Sequence, residues 1–302
     1  VYFIVLGLSS STWVDGIWES YLLRDPKYFA SNFASLAYSQ EGSGKHLNTV
    51  TLGYADFRVY MSDKKYKIGY FNDLIDEDGE SYGPDKLKAD IARVHQQGGK
   101  VRVGFGGPYF WETNFITSSA SAEAFASNLA RVVVQDSIDG IDIYDKFGKE
   151  PPKLQTFLLS KVREALPANV TLSYTVDAGM HREYPFSEVL QMAEPYLSYI
   201  NLKSFGPPRH DLRRDLQELT ALGIPHHKIS VGVSISCNEA MTEFTTLEDA
   251  VAVAKQVKEY GLAGVIVDTI LRDTSDDRDC SFGSGLPDGT FIEMLASAFK
   301  DS

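Results

Sequence analysis

From about residue 50 onward, short runs rich in β-branched residues alternate with longer stretches whose apolar positions recur every three or four residues. The short runs predict strands over Thr49 to Phe57, Lys100 to Phe105, Gly140 to Tyr144 and Val170 to Val176. Tyr199 to Phe205, Ile229 to Ile235 and Ala263 to Ile270 follow. The longer stretches predict helices, each with one apolar stripe: Leu87, Ile91 and Val94; Phe125, Leu129 and Val132; Leu212, Leu216 and Leu219. A fourth stripe, Leu247, Val251, Ala254 and Val257, closes at Tyr260-Gly261, with glycine as the helix stop. Strands alternating with helices of this length imply right-handed βαβ units and a parallel sheet.

Gly16 to Tyr21 supplies one more strand, and eight parallel strands close a barrel. An open, doubly wound sheet would place a glycine-rich phosphate loop after its first strand, whereas Gly42-Ser43-Gly44 sits in a long polar loop. The expectation is an α/β chain forming one (β/α)8 TIM barrel over residues 13–302. The polar stretch from Tyr60 to Pro84 would be an excursion on its rim.

Composition narrows the function classes. Hydrophobic residues at 43% and charged residues at 23% are ordinary for a globular chain of 302 residues. Against 41 acidic residues stand 29 basic ones, a net charge of −12 that repels a phosphate backbone or an anionic bilayer. Nucleic acid and membrane are therefore not expected as partners. No apolar run approaches the roughly 20 residues of a membrane helix. Val1 to Leu8 is nearly all apolar and runs into Ser9, Ser10 and Ser11. Residues 1–12 read as the remnant of a secretory signal, since Gly16 to Tyr21 makes a better first strand than Val1 to Leu8. A secreted or extracellular location is expected, with a vacuole or another secretory compartment as the variant. The sequon Asn169-Val170-Thr171 marks Asn169 as a glycosylation site in that setting. Cys237 and Cys280 lie just beyond strands seven and eight, neighbours in a closed barrel, and either form a disulfide or remain free thiols. The six histidines are scattered and His226-His227 reads as a solvated turn, so neither a metal nor a cofactor is expected.

Four strand ends carry a family resemblance. Lys100-Val-Arg-Val-Gly104-Phe-Gly106-Gly107 resembles the third-strand signature of family 18 glycoside hydrolases, which ends Ser-x-Gly-Gly. Asp139-Gly140-Ile141-Asp142-Ile143-Tyr144-Asp145-Lys146 resembles their fourth-strand D-G-x-D-x-D-x-E. Tyr199 to Gly206 is similar to their sixth-strand Asn-x-Met-x-Tyr-Asp, and Gly264 to Asp268 to their eighth-strand Gly-x-Met-x-Trp. The segments stand in family order, so the resemblance spans nearly the whole barrel. It implies a chitinase-like chain, because these enzymes use the substrate's acetamido group as nucleophile and a single glutamic acid as proton donor.

That chemistry is where the likeness stops. Lys146 occupies the position of the acid, and Tyr144 that of the aspartate which orients the acetamido group. Lys203, Phe205 and Gly206 replace Met, Tyr and Asp, and Asp268 replaces the tryptophan under the sugar. Strand period puts Asp142, Tyr144 and Lys146 on one face, pointing into the barrel mouth, with Asp145 turned away. A lysine ammonium is a far weaker acid than a carboxylic acid and would repel an oxocarbenium ion.

Lys146, Lys203, Asp142 and Asp268 are expected to meet at the mouth and neutralise one another, with Asp177 and its strand-mates Ser173 and Thr175 supporting the lysines. Tyr109 and Trp111, in the aromatic loop after strand three, would offer either a sugar-stacking platform or a protein contact. The reading is a chitinase-like protein without glycosidase activity that binds a glycan or a protein partner through its top-face loops. The alternative is an enzyme with altered chemistry in the same pocket, acting on N-acetylglucosamine-containing glycans or through a Schiff-base lysine.

Overall fold

The computed structural model describes residues 13–19, 47–55, 84–106, 116–144, 151–182, 185–203, 212–234, 245–268 and 290–300. Eight parallel strands close into a barrel in sequence order: β1 (Trp13–Glu19), β2 (Thr49–Ala55), β3 (Lys100–Gly106), β4 (Gly140–Tyr144), β5 (Thr171–Asp177), β6 (Tyr199–Lys203), β7 (Ile229–Ser234) and β8 (Gly264–Asp268). β1 pairs with both β2 and β8, with Asp15 opposite Thr49 on one side and Ile266 on the other. The first strand is thus Trp13–Glu19, three residues earlier than Gly16 to Tyr21 at its start.

Seven helices lie among the described residues: α1 (Pro84–Gln96), α2 (Ser119–Gln135), α3 (Pro152–Ala165), α4 (Phe186–Ala193), α5 (Leu212–Ala221), α6 (Leu247–Glu259) and α7 (Thr290–Lys300). All four predicted stripes fall on helices. Serine and threonine caps set two of the starts, Ser118 accepting from the Ser121 amide before α2 and Thr246 from the Asp249 amide before α6. No helix among the described residues is long and apolar enough to cross a membrane.

The strands whose side chains are described divide them between two environments, as a closed sheet requires. Val101, Val103 and Phe105 of β3, Ile141 and Ile143 of β4, and Leu172, Tyr174 and Val176 of β5 join the buried layer under the helices. Phe105 meets Phe125 of α2 edge to face, with ring centroids 5.6 Å apart. The alternate positions, Arg102, Asp142, Ser173, Thr175, Asn201 and Ser230, are polar, buried and face the barrel axis, and the helix-side layer excludes water from around them.

Candidate functional site

The interior is organised around one buried ion pair. Arg102 of β3 and Asp142 of β4 are 2% and 1% exposed, with Nη2 and Oδ1 3.7 Å apart. Ser173 Oγ lies between them: it accepts from Arg102 Nη2 and donates to Asp142 Oδ1. Thr175 Oγ1 donates to Asp142 Oδ2 at 2.8 Å, and Asn201 Nδ2 to Oδ1 at 2.9 Å. Ser230 of β7 donates in turn to Asn201 Oδ1 at 2.6 Å, so the network crosses from β3 to β7. The Arg102 guanidinium also stands over the Tyr199 ring, 4.7 Å from its centroid. A buried pair is tolerated only when donors and acceptors surround it, and these side chains supply them to Arg102 Nη2 and to both Asp142 oxygens.

This corrects the expected wiring. Asp142 is paired with Arg102, which was not among its expected partners, and Ser173 and Thr175 both donate to Asp142. Arg102 was legible in principle. It alternates with Val101 and Val103, which places it on the same face as Gly104 and Gly106.

Asp139 has a separate task at the opposite end of the strands. Its Oδ2 accepts from the Val101 amide at 2.8 Å and lies 2.7 Å from His95 Nε2, tying the end of α1 to the start of β3. Gly140 leaves the space through which the Arg102 side chain runs. Four residues that fit the family signatures, Asp139, Gly140, Asp142 and Asn201, thus hold the lower and middle barrel together.

Two residues that depart from the signatures, Tyr144 and Lys203, lie higher, beside Asp177. Tyr144, Asp177 and Lys203 are the last residues of β4, β5 and β6. Tyr144 donates its hydroxyl proton to Asp177 Oδ1 at 2.7 Å, and the Lys203 ammonium sits over the Tyr144 ring, 4.6 Å from its centroid. Tyr144 and Lys203 are buried, and Asp177 is half-buried. Asp177 and Lys203 are register partners across the β5–β6 pair. These three predicted site residues therefore meet. Asp268 ends β8 opposite Ser234, a placement that concerns its backbone. Lys146, Tyr109, Trp111, Cys237 and Cys280 lie outside the described residues, as do residues 1–12. Asn169 is exposed in the turn before β5, at the end of the barrel away from Tyr144, Asp177 and Lys203.

A second polar cluster had no counterpart in the sequence reading. His181, in the turn after β5, lies 3.2 Å from Glu218 and 3.7 Å from Asp215, both on α5. The three ligand atoms lie within 4.8 Å of one another, a spacing open to a cation. Arg182 already provides that cation, since its guanidinium pairs with both carboxylates. Burial pulls the Glu218 carboxyl upward, but hydrogen bonds from Arg182, Arg214 and His181 outweigh it and leave the pKa below the usual value. The only local signal was the three-residue spacing of Asp215 and Glu218, which puts them on one helix face.

Comparison with known proteins follows the fold. No protein-family model matches the sequence, and no match appears among curated proteins. Solved structures do match: the chain has the fold of a GH18 chitinase. A GH18 chitinase from Pseudoalteromonas aurantia superposes with a TM-score of 0.69 at 14% identity, covering 95% of this chain and 100% of that one. A chitinase from Rhizomucor miehei gives 0.64 at 13%, with 95% and 100% covered. The family GH18 chitinase from Cycas revoluta, solved as a complex with allosamidin, gives 0.66 at 12%, again with 95% and 100% covered.

Proposed function

We propose that this chain is a chitinase-like binding protein that has lost glycoside hydrolysis and uses the top face of its barrel to hold a glycan. The observation that carries the reading is the hydrogen bond from Tyr144 to Asp177 beneath Lys203. The resemblance puts an acetamido-orienting carboxylate at position 144, where a phenol now spends its proton on a neighbouring carboxylate. At position 146 it puts the proton donor, now lysine. Substrate-assisted cleavage needs both functions at once, and neither substituted side chain supplies one.

Retention of Asp139 and Asp142 does not argue for catalysis, because both are accounted for by contacts that build the barrel. The segment after β3 carries Tyr109 and Trp111 in sequence, and aromatic side chains of this kind are what sugar faces favour for stacking. Secretion, with glycosylation at exposed Asn169, belongs to the same reading. A glycan-array screen of the purified protein tests it, with Trp111→Ala as the comparison. The expected result is retention of a glycan class that Trp111→Ala loses at least tenfold. A blank array for the wild-type chain would remove the glycan and leave a protein partner as the ligand of the top face, and equal retention by both proteins would remove Trp111 from the binding site.

A further inference from the structure

The His181 cluster contains a titratable group whose two ring nitrogens are committed in opposite senses. A carboxylate only accepts, so Nε2 carries the proton that points at Glu218. The Gly179 amide donates to Nδ1 at 3.3 Å, so Nδ1 is the bare nitrogen. The imidazole is neutral and its tautomer is fixed by its partners. We propose that His181 is an acid-sensitive latch: a proton added at Nδ1 removes the acceptor of the Gly179 amide and releases the turn that follows β5 and leads to α4.

The turn is built to respond. Gly179 has φ +91°, a conformation that costs glycine little but is held here by the bond to the ring. Immediately before it, the Ala178 amide donates to the Lys203 carbonyl at 2.9 Å, and Asp177 receives the Tyr144 hydroxyl. Loosening residues 178–182 therefore acts on the place where the ends of β4, β5 and β6 meet.

Charges around the ring decide the sign. From α5 come Asp215, Glu218 and, through Glu218, Arg214; from its own turn comes Arg182, paired with both carboxylates. α4, packed on the same turn, carries half-buried Glu188, and β5 ends in Asp177. An imidazolium gains attraction from Asp215 and Glu218, but Arg182 already engages both and repels it. The ring is also fully buried, which penalises its charge. Burial is the largest influence and the His181 pKa is lowered, with Arg182 acting in the same direction. A lowered pKa means the unfolded chain binds the proton more readily. Stability present above the ordinary histidine pKa is thus lost as pH falls through the folded value.

The test is a proton–nitrogen NMR titration of the isotopically labelled full chain, with His181→Asn as the variant that keeps an acceptor near the Nδ1 position and cannot titrate. In the wild type the Gly179 amide should shift and lose exchange protection at the midpoint of the His181 ring, below the ordinary histidine value. In His181→Asn the same amide should stay constant over that range. The wild-type titration stands alone if the variant does not fold. A Gly179 amide indifferent to the His181 titration, or a ring that titrates above the ordinary value, would overturn the latch.

Discussion

The Arg102 side chain and Thr171 Oγ1 both crowd Gly140: a Cβ at position 140 would stand 2.8 Å from Arg102 Cγ and 2.9 Å from its Nε, and closer still to Thr171 Oγ1. Glycine is required here for space, and the space belongs to a buried charge. Gly140→Ala should therefore destabilise the fold by about 1–3 kcal/mol through overpacking, although alanine has the better intrinsic propensity. A chemical denaturation curve checks this. An unchanged midpoint would mean that Arg102 can take another path.

Removing one partner of the Arg102–Asp142 pair strands the other where water cannot reach it. Asp142→Ala should cost about 3–5 kcal/mol. Arg102→Met should also be costly alone, but the double variant should lose less than the sum, since neither charge is then left behind. Additive losses would show that the two residues act separately, through Ser173, Thr175 and Asn201, and not as a pair.

Asp136 closes α2, where the helix carbonyls already concentrate negative potential. Burial raises its pKa, and Lys88, 3.7 Å away, only partly offsets this. A raised carboxyl pKa contributes stability below the unfolded value and loses it as pH rises, so at neutral pH the ionised group is a liability. Asp136→Asn should stabilise the fold at pH 7, by the few tenths to about 1 kcal/mol usual for a helix-end charge, and raise the melting temperature accordingly. The gain should vanish below the ordinary aspartate pKa. A gain that persists in acid would assign it to something other than the charge.

The strands were legible because β-branched runs recur between stretches of helical length, four of which carry a plain apolar stripe, and the observed boundaries differ from the predicted ones mainly at strand ends. Sequence also placed Tyr144, Asp177 and Lys203 together, since period 2 and adjacency of β4, β5 and β6 determine that. Partners inside the barrel were less accessible. Asp142 had lysines and an arginine within reach of its face, and only side-chain reach across Gly140 selects Arg102. The His181 cluster was not visible, because its members come from a turn and a helix with no shared motif.

Rebuilding the signature locally should not rebuild the reaction. Tyr144→Asp with Lys146→Glu would place a new carboxylate at the end of β4, where Tyr144 now donates to Asp177, and like charges this close raise each other's pKa. Lys203, Gly206 and Asp268 would remain as they are. The double variant is expected to stay inactive on chitooligosaccharides. Measurable turnover would show that the altered sixth and eighth strands do not matter.

The most direct measurement is hydrolysis of chitooligosaccharides by the purified wild-type chain, followed by product separation from acid to neutral pH against a boiled control. The account predicts no product above the control at any pH. Turnover that disappears in Lys146→Ala or Asp177→Asn would contradict it, by assigning catalysis to Lys146 or Asp177.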